Sequence, residues 1–181
     1  MKEILKENAK ETLKETAIRF RRPEKKDGTP IWKLIQQTEA LDVNSAYCYI
    51  LLSDYLRDTC VIAEEEEKIV GFISAFRAPS RNDTLFVWQI AVAPSKQRRG
   101  IARRMLKELL ARECCSDVVY IEATVSPSNL ASRGLLLRLA KDYRMECHLS
   151  AGYADALFPV EARHEEELLF RLGPLPVMGE R

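Results

Sequence analysis

Hydrophobic positions recur along the chain in two rhythms, and the switches between them mark its elements. Short apolar runs bounded by polar or turn residues read as strands over 17–23, 59–65, 68–78, 84–92, 117–125 and 166–174. Pro23 stops the first, and the short acidic joint between the second and third suits an antiparallel hairpin. The run TLFVWQIAV (84–92) is too apolar for a sheet edge. Helical spacing marks 29–41, with a Thr-Pro start and a stripe of Ile31, Leu34 and Ile35. It also marks 44–56 behind an Asn or Ser cap, and 128–143. In 97–113 it sets Ile101, Met105, Leu106, Leu109 and Leu110 on one face. Residues 1–15 read as a charged helical extension with too few apolar positions to dock, followed by one domain over 16–175 and a polar tail over 176–181. The order strand, two helices, three antiparallel strands, helix, strand, helix, strand predicts an α+β fold. Its mixed sheet is mostly antiparallel, is flanked by helices and has a parallel crossover between 84 and 125.

Composition narrows the function. The 181 residues are 46% hydrophobic and 30% charged, the balance of a globular protein, and can bury one core. A formal net charge of +1 supplies no global field for nucleic acid or an acidic membrane, so any anion site is local. No apolar run approaches a membrane span, and the N-terminus lacks the apolar stretch of a signal peptide. Cysteines 48, 60, 114, 115 and 147 are odd in number and lack metal-ligand spacing. Reduced thiols in the cytoplasm are the expectation, and with two histidines no metal is expected.

One local anion site stands out. WQIAVAPSKQRRGIARRMLKELL (88–110) passes from strand to helix with QRRGIA at the joint, without the Lys-Ser/Thr of a nucleoside triphosphatase. A helix start presents unpaired N–H groups and a partial positive charge, which suits a diphosphate. Gly100 lets the backbone approach, Ala102 keeps the face small, and Arg98, Arg99, Arg103 and Arg104 add charge. Alone, the same residues fit a helix start with a solvated basic face. Placed after a strand ending IAVAP, however, Q-x-x-G-x-A resembles the acetyl-CoA signature of the Gcn5-related N-acetyltransferases. That resemblance spans 17–174 and implies a strand splayed from its parallel neighbour at 117–125. It implies backbone pairing of Ile90 and Val92 with a pantetheine arm, a cradle of Gln97, Arg98, Arg99, Gly100, Ile101 and Ala102, and an arm contact from Asn129.

A closer resemblance is carried by LDVNSAYCYILL, DTCVIAE, VGFISAFRAP, DTLFVWQIAV, TVSPSNLASRGL and HEEELLFRLGP in order. Together these are similar to the L-2,4-diaminobutyrate acetyltransferases, which implies a cytoplasmic homodimer acetylating the side-chain amine of diaminobutyrate on the route to ectoine. Carried over residue by residue, the acceptor site comprises Asp42, Tyr47, Trp88, His164 and Glu167, with Arg77 ranked lower as a partner for the substrate carboxylate. Each has a structural alternative. Asp42 can cap a helix, Tyr47 and Trp88 can be core aromatics, His164 and Glu167 can be surface residues, and Arg77 can pair with Asp83. Many members of the wider family place a Glu base on the cofactor strand and a Tyr acid seven residues after the Asn; here those places read Gln89 and Leu136. Glu167 is therefore the first candidate for base or amine anchor, Asp42 the second and Glu122 the third. Two alternatives remain at this point: an acetyltransferase for another small amine such as a polyamine or aminoglycoside, and a non-catalytic acyl-CoA-binding protein.

Overall fold

A computed structural model describes residues 17–38 and 41–176. The charged extension expected over 1–15 and most of the tail lie outside the described residues. The elements run β1 (Arg19–Arg21), α1 (Gly28–Gln36), α2 (Ala46–Tyr55), β2 (Val61–Glu65), β3 (Lys68–Ala78) and β4 (Arg81–Val92). They continue with α3 (Ile101–Leu110), β5 (Tyr120–Val125), α4 (Leu130–Tyr143), β6 (Glu146–Tyr153) and β7 (Glu167–Gly173). One seven-stranded sheet has the order β1-β2-β3-β4-β5-β7-β6, with β4 central as its apolar sequence requires. Among the described residues, β4 and β5 are the only strands that pair in parallel.

Side-chain alternation distributes the core over both faces of this sheet. Cys60, Ile62, Phe72 and Ala91 point to the face covered by Ile31, Leu34 and Ile35 of α1 and Tyr49 and Leu52 of α2. Val61, Ala63, Ile73, Ala75, Leu85 and Val87 point to the opposite face, beneath α3 and α4. All five α3 residues read as a stripe are buried there. The two N-terminal helices meet closely, since a Cβ on Gly28 would lie 2.8 Å from the Ile50 backbone.

Several boundaries differ from those the sequence suggests. The first helix begins at Gly28, after a short turn whose buried Asp27 is gripped by Arg21, so Pro30 lies within the first turn. It stops at Gln36, and the Thr38 hydroxyl donates to the carbonyl of Ile35 at 2.7 Å. The second helix is capped by Ser45, whose Oγ accepts from the Cys48 N–H at 3.2 Å, which releases Asp42 from the capping role. The third starts at Ile101 rather than 97, because Arg98 and Gly100 adopt left-handed backbone (φ 61° and 71°). Strand β6 has no counterpart in the sequence pattern: it is an exposed edge strand, and ECHLSAGY carries no apolar alternation.

Two irregularities in β4 build the site. Its pairing with β5 covers only Thr84–Tyr120, Leu85–Ile121 and Phe86–Glu122, so the strands part beyond Phe86. Against β3 the register runs Ser74–Gln89 and then Ala75–Val87, leaving Trp88 as an extra residue in a β-bulge. A bulge turns the following side chains to the other face of the sheet. Leu85 and Val87 accordingly face α3 and α4, whereas Gln89 faces Tyr49 of α2.

Candidate active site

The parting of β4 from β5 opens a cavity of about 810 Å³. Its walls are Val87–Ile90 of β4 and Ala123–Val125 of β5, with Phe76 and Phe86 behind them. Ser128, Asn129, Ser132 and Leu136 lie on the α4 side, and Asp42, Tyr153, Phe158, His164 and Glu167 close the acceptor end. Unpaired strand edges inside a protein need hydrogen-bond partners. An extended ligand with amide groups, lying along β4, could supply them.

The QRRGIA joint leads from β4 into α3. Nothing lies within 4 Å of where a Cβ on Gly100 would project, and φ there is left-handed. The glycine therefore serves the backbone turn and leaves open space above the helix N-terminus, as a diphosphate cradle requires. The first helical bond runs from Arg104 N–H to the Gly100 carbonyl. The N–H groups of a helix's first turn have no intrahelical acceptor, which suits an anion. Gln97 donates from Nε2 to the Val92 carbonyl at 3.3 Å and so ties the cradle to the strand end. The arginines are not equivalent: Arg103 is paired with Asp142, and Arg99 lies 3.5 Å from Glu65. Asn129 caps α4 by accepting from the Ser132 N–H at 3.0 Å and lines the cavity.

At the acceptor end, His164 stacks on Phe158 with ring centroids 3.9 Å apart. Its Nδ1 lies 2.6 Å from the Glu165 carbonyl, an acceptor only, so Nδ1 carries a proton and Nε2 faces the cavity. Nε2 sits 3.3 Å from Asp42 Oδ2 and 3.8 Å from Glu167 Oε1. Two carboxylates from opposite ends of the chain thus flank one imidazole. Glu167 is largely buried at the start of β7, and burial raises its carboxyl above the usual range. His164 and a Thr124 hydrogen bond oppose the rise, and the Asp42 charge adds to it. The Asp42 side chain is 84% exposed and opens to solvent. Trp88, carried outward by the bulge, forms the adjacent wall.

The structure therefore gathers Asp42, Trp88, His164, Glu167, Ile90 and Asn129 around one cavity. Three other candidates lie elsewhere. Arg77 forms a bidentate pair with Asp117 at 2.7 and 2.8 Å and also donates to the Cys114 carbonyl, so it is turned away from the cavity and does not pair with Asp83. That pair holds the Asp117 carboxyl down at about 2. Tyr47 does not line the cavity of its own chain: α2 buries Tyr49, Leu52 and Ser53, leaving Tyr47 on the outward side. Glu122 is buried between Arg81 and Arg171, which hold both its oxygens, and it does not line the cavity. Tyr153 and Phe158, which the sequence did not single out, reach the cavity from β6 and the turn after it.

A splayed central strand running into an open helix start, with carboxylates where the strands part, is the architecture of an acetyl-CoA-dependent N-acetyltransferase. The Acetyltransferase (GNAT) family model matches residues 29–140, and the chain belongs to that family. It is 45% identical to the L-2,4-diaminobutyric acid acetyltransferase of Halalkalibacterium halodurans, covering 89% of this chain and 84% of that protein. It is 40% identical to the enzyme of that name from Shouchella clausii, covering 96% of each. The diaminobutyrate acetyltransferase EctA of Paenibacillus lautus, solved with L-2,4-diaminobutyric acid and coenzyme A, superposes with a TM-score of 0.86. Their sequences are 53% identical, over 88% of this chain and 96% of that one. Among the described residues no helix is long and apolar enough to cross a membrane, and no group of three or more His, Cys, Asp or Glu could hold a metal.

Proposed function

We propose that the protein transfers the acetyl group of acetyl-CoA to the 4-amino group of L-2,4-diaminobutyrate, releasing CoA and the N4-acetyl amino acid on the route to ectoine. The observation that carries this reading is the Asp42–His164–Glu167 cluster at the open end of the splay. Two amines need acidic partners there, because a desolvated cation without one is costly. Relatives whose names specify diaminobutyrate, matched over most of the chain, support that acceptor over a polyamine or an aminoglycoside.

The residues suggest a route for the proton. An alkyl ammonium, with a pKa near 10.4, must lose its proton before it can attack a thioester. Glu167, whose carboxyl is raised by burial, takes that proton, and Asp42 passes it to solvent. Acetyl-CoA supplies the activated acyl carbon and a thiolate leaving group tolerable near neutral pH. Leu136 can stand where many relatives have a tyrosine acid because such a thiolate needs no proton donor. Trp88 packs beside the substrate chain, and the backbone over Gln97–Ala102 holds the diphosphate. Release of free thiol should be measured with diaminobutyrate, ornithine, lysine and spermidine, and the product examined by NMR. Preference for diaminobutyrate with acetyl on N4 is expected; dominant N2 product or equal rates on spermidine would sink the assignment.

The protein is further proposed to work as a homodimer in the cytoplasm. Tyr47, Leu51 and Tyr55 recur at helical spacing on the outward side of α2 and are all exposed. Leu149 and Tyr153 of β6, with Leu157 and Val160 after it, add more exposed apolar side chains. Such surface is characteristic of a buried interface. This placement gives Tyr47 a role at the subunit contact rather than in the cavity of its own chain.

A further inference from the structure

Gln89 occupies the strand position at which many family members carry a catalytic glutamate, and its surroundings assign it different work. The side chain is 5% exposed, and the bulge at Trp88 aims it at α2. Its Nε2 donates to the Asp42 carbonyl at 2.9 Å, and its Oε1 accepts from the Tyr49 hydroxyl at 3.2 Å. That hydroxyl in turn accepts from the Asn44 N–H at 3.3 Å. The backbone on either side of Val43 is thereby tied to the sheet through two buried side chains.

The direction of every bond in this chain is set by its two backbone ends. The Asn44 N–H can only donate, so the Tyr49 oxygen accepts and its proton points to Gln89 Oε1. The Asp42 carbonyl can only accept, so the other end of residue 89 must be a donor. An amide satisfies both requirements. An ionised carboxylate fails the second, setting an oxygen against the Asp42 carbonyl. We propose that Gln89 is a positioning residue: through Tyr49 and the 42–44 backbone it places the Asp42 carboxylate at the acceptor end of the cavity and supplies no base of its own. Asp42 needs this support, since its carboxylate is largely exposed and its nearest side-chain partner is His164.

The proposal rests on the acceptor reading above only for its kinetic test, so a substrate-free measurement accompanies it. Steady-state kinetics of Gln89→Glu, Gln89→Leu and Tyr49→Phe should be followed from about pH 6 to 9, with melting curves and CoA calorimetry verifying that each variant folds. Leaving the Asp42 carbonyl without its donor should raise KM for diaminobutyrate about tenfold in both residue-89 variants, less in Tyr49→Phe, with KM for acetyl-CoA within about twofold. In Gln89→Glu the neutral carboxyl can still donate, so the defect should shrink as pH falls and deepen as it rises. The titratable groups around that carboxyl are Asp42 and Tyr49 on the helix side, with His164 and Glu167 across the cavity. A Gln89→Glu enzyme with raised kcat and unchanged KM for the amine would overturn the proposal. Amide hydrogen exchange in the substrate-free protein reads the same tether directly. Faster exchange at Asn44 in Gln89→Leu supports it, and unchanged exchange there overturns it. If the parent enzyme ignores diaminobutyrate, the acceptor reading fails alone and the exchange result still decides the role of Gln89.

Discussion

Replacing Glu167 by Gln keeps the shape of the side chain and removes its charge. Glu167 Oε1 lies 3.8 Å from His164 Nε2, in a side chain only 15% exposed. A substrate ammonium about 4 Å from this carboxylate, at an effective dielectric near 20, would be attracted by ~4 kcal/mol. Truncated partners of desolvated ion pairs lose a similar amount, roughly 2–5 kcal/mol. The expected loss in kcat/KM for diaminobutyrate is thus about 30- to 1000-fold, with CoA affinity unchanged. The pH profile sharpens the test. Burial raises the Glu167 carboxyl, so its ionised form is lost at a higher pH than for an ordinary glutamate. In the parent enzyme kcat/KM should fall about tenfold per pH unit below that point, and in Glu167→Gln that limb should vanish. Stability should move the other way. A carboxyl raised in the folded state contributes stability below its unfolded value and loses it as pH rises through the folded one. The variant should therefore melt higher than the parent near neutral pH, with the difference closing below about pH 4. Stopped-assay kinetics and calorimetric melts read both quantities. Full activity in Glu167→Gln, or an unchanged acid limb, would refute the reasoning.

Gly100→Val should abolish measurable CoA binding by calorimetry. The left-handed φ adds a folding cost of only ~1–2 kcal/mol, and no protein atom lies within 4 Å of the new Cβ. Asp42→Ala should lower kcat/KM for the amine by about tenfold, less than the Glu167 variant because water screens its exposed carboxylate. Arg77→Ala should leave KM for the amine unchanged, since its guanidinium is engaged by Asp117; a large rise would return it to the acceptor site. Light scattering should give a dimer that Tyr47→Glu with Tyr55→Glu converts to monomer, and a monomeric parent would remove that proposal.

Much of this was legible in the chain. The α3 stripe, the strand 68–78 and the passage from strand to helix around Gly100 follow from periodicity and turn chemistry. The parallel pair follows from the crossover length. What escaped has identifiable causes. A bulge carries no local signature in WQIAV, so strict alternation puts Val87 and Gln89 on one face although they lie on opposite ones. The α2 segment AYCYILL is apolar around its circumference, so its sequence does not say that Tyr49 is inside and Tyr47 outside. Arg77 met an acid 40 residues away rather than the nearby Asp83, because hairpin twist and the β5 approach choose the neighbour. Strand β6 is held by backbone pairing with β7 along exposed side chains, which leaves no hydrophobic pattern to read.

The short parallel ladder has a consequence for the protein's lifetime as well as its chemistry. Three residue pairs join β4 to β5, while the ladders on either side are longer, so the sheet carries a seam through its middle. Helices α3 and α4 span that seam on one face only. A ligand lying in the splay would replace the missing rungs and fasten the β1–β4 half to the β5–β7–β6 half. Ligand at a hundred times its dissociation constant adds about 2.7 kcal/mol to the folded state. An acetyl-CoA pool that rises and falls would then govern how often the seam opens to proteases, coupling the abundance of the enzyme to the supply of its own acyl donor.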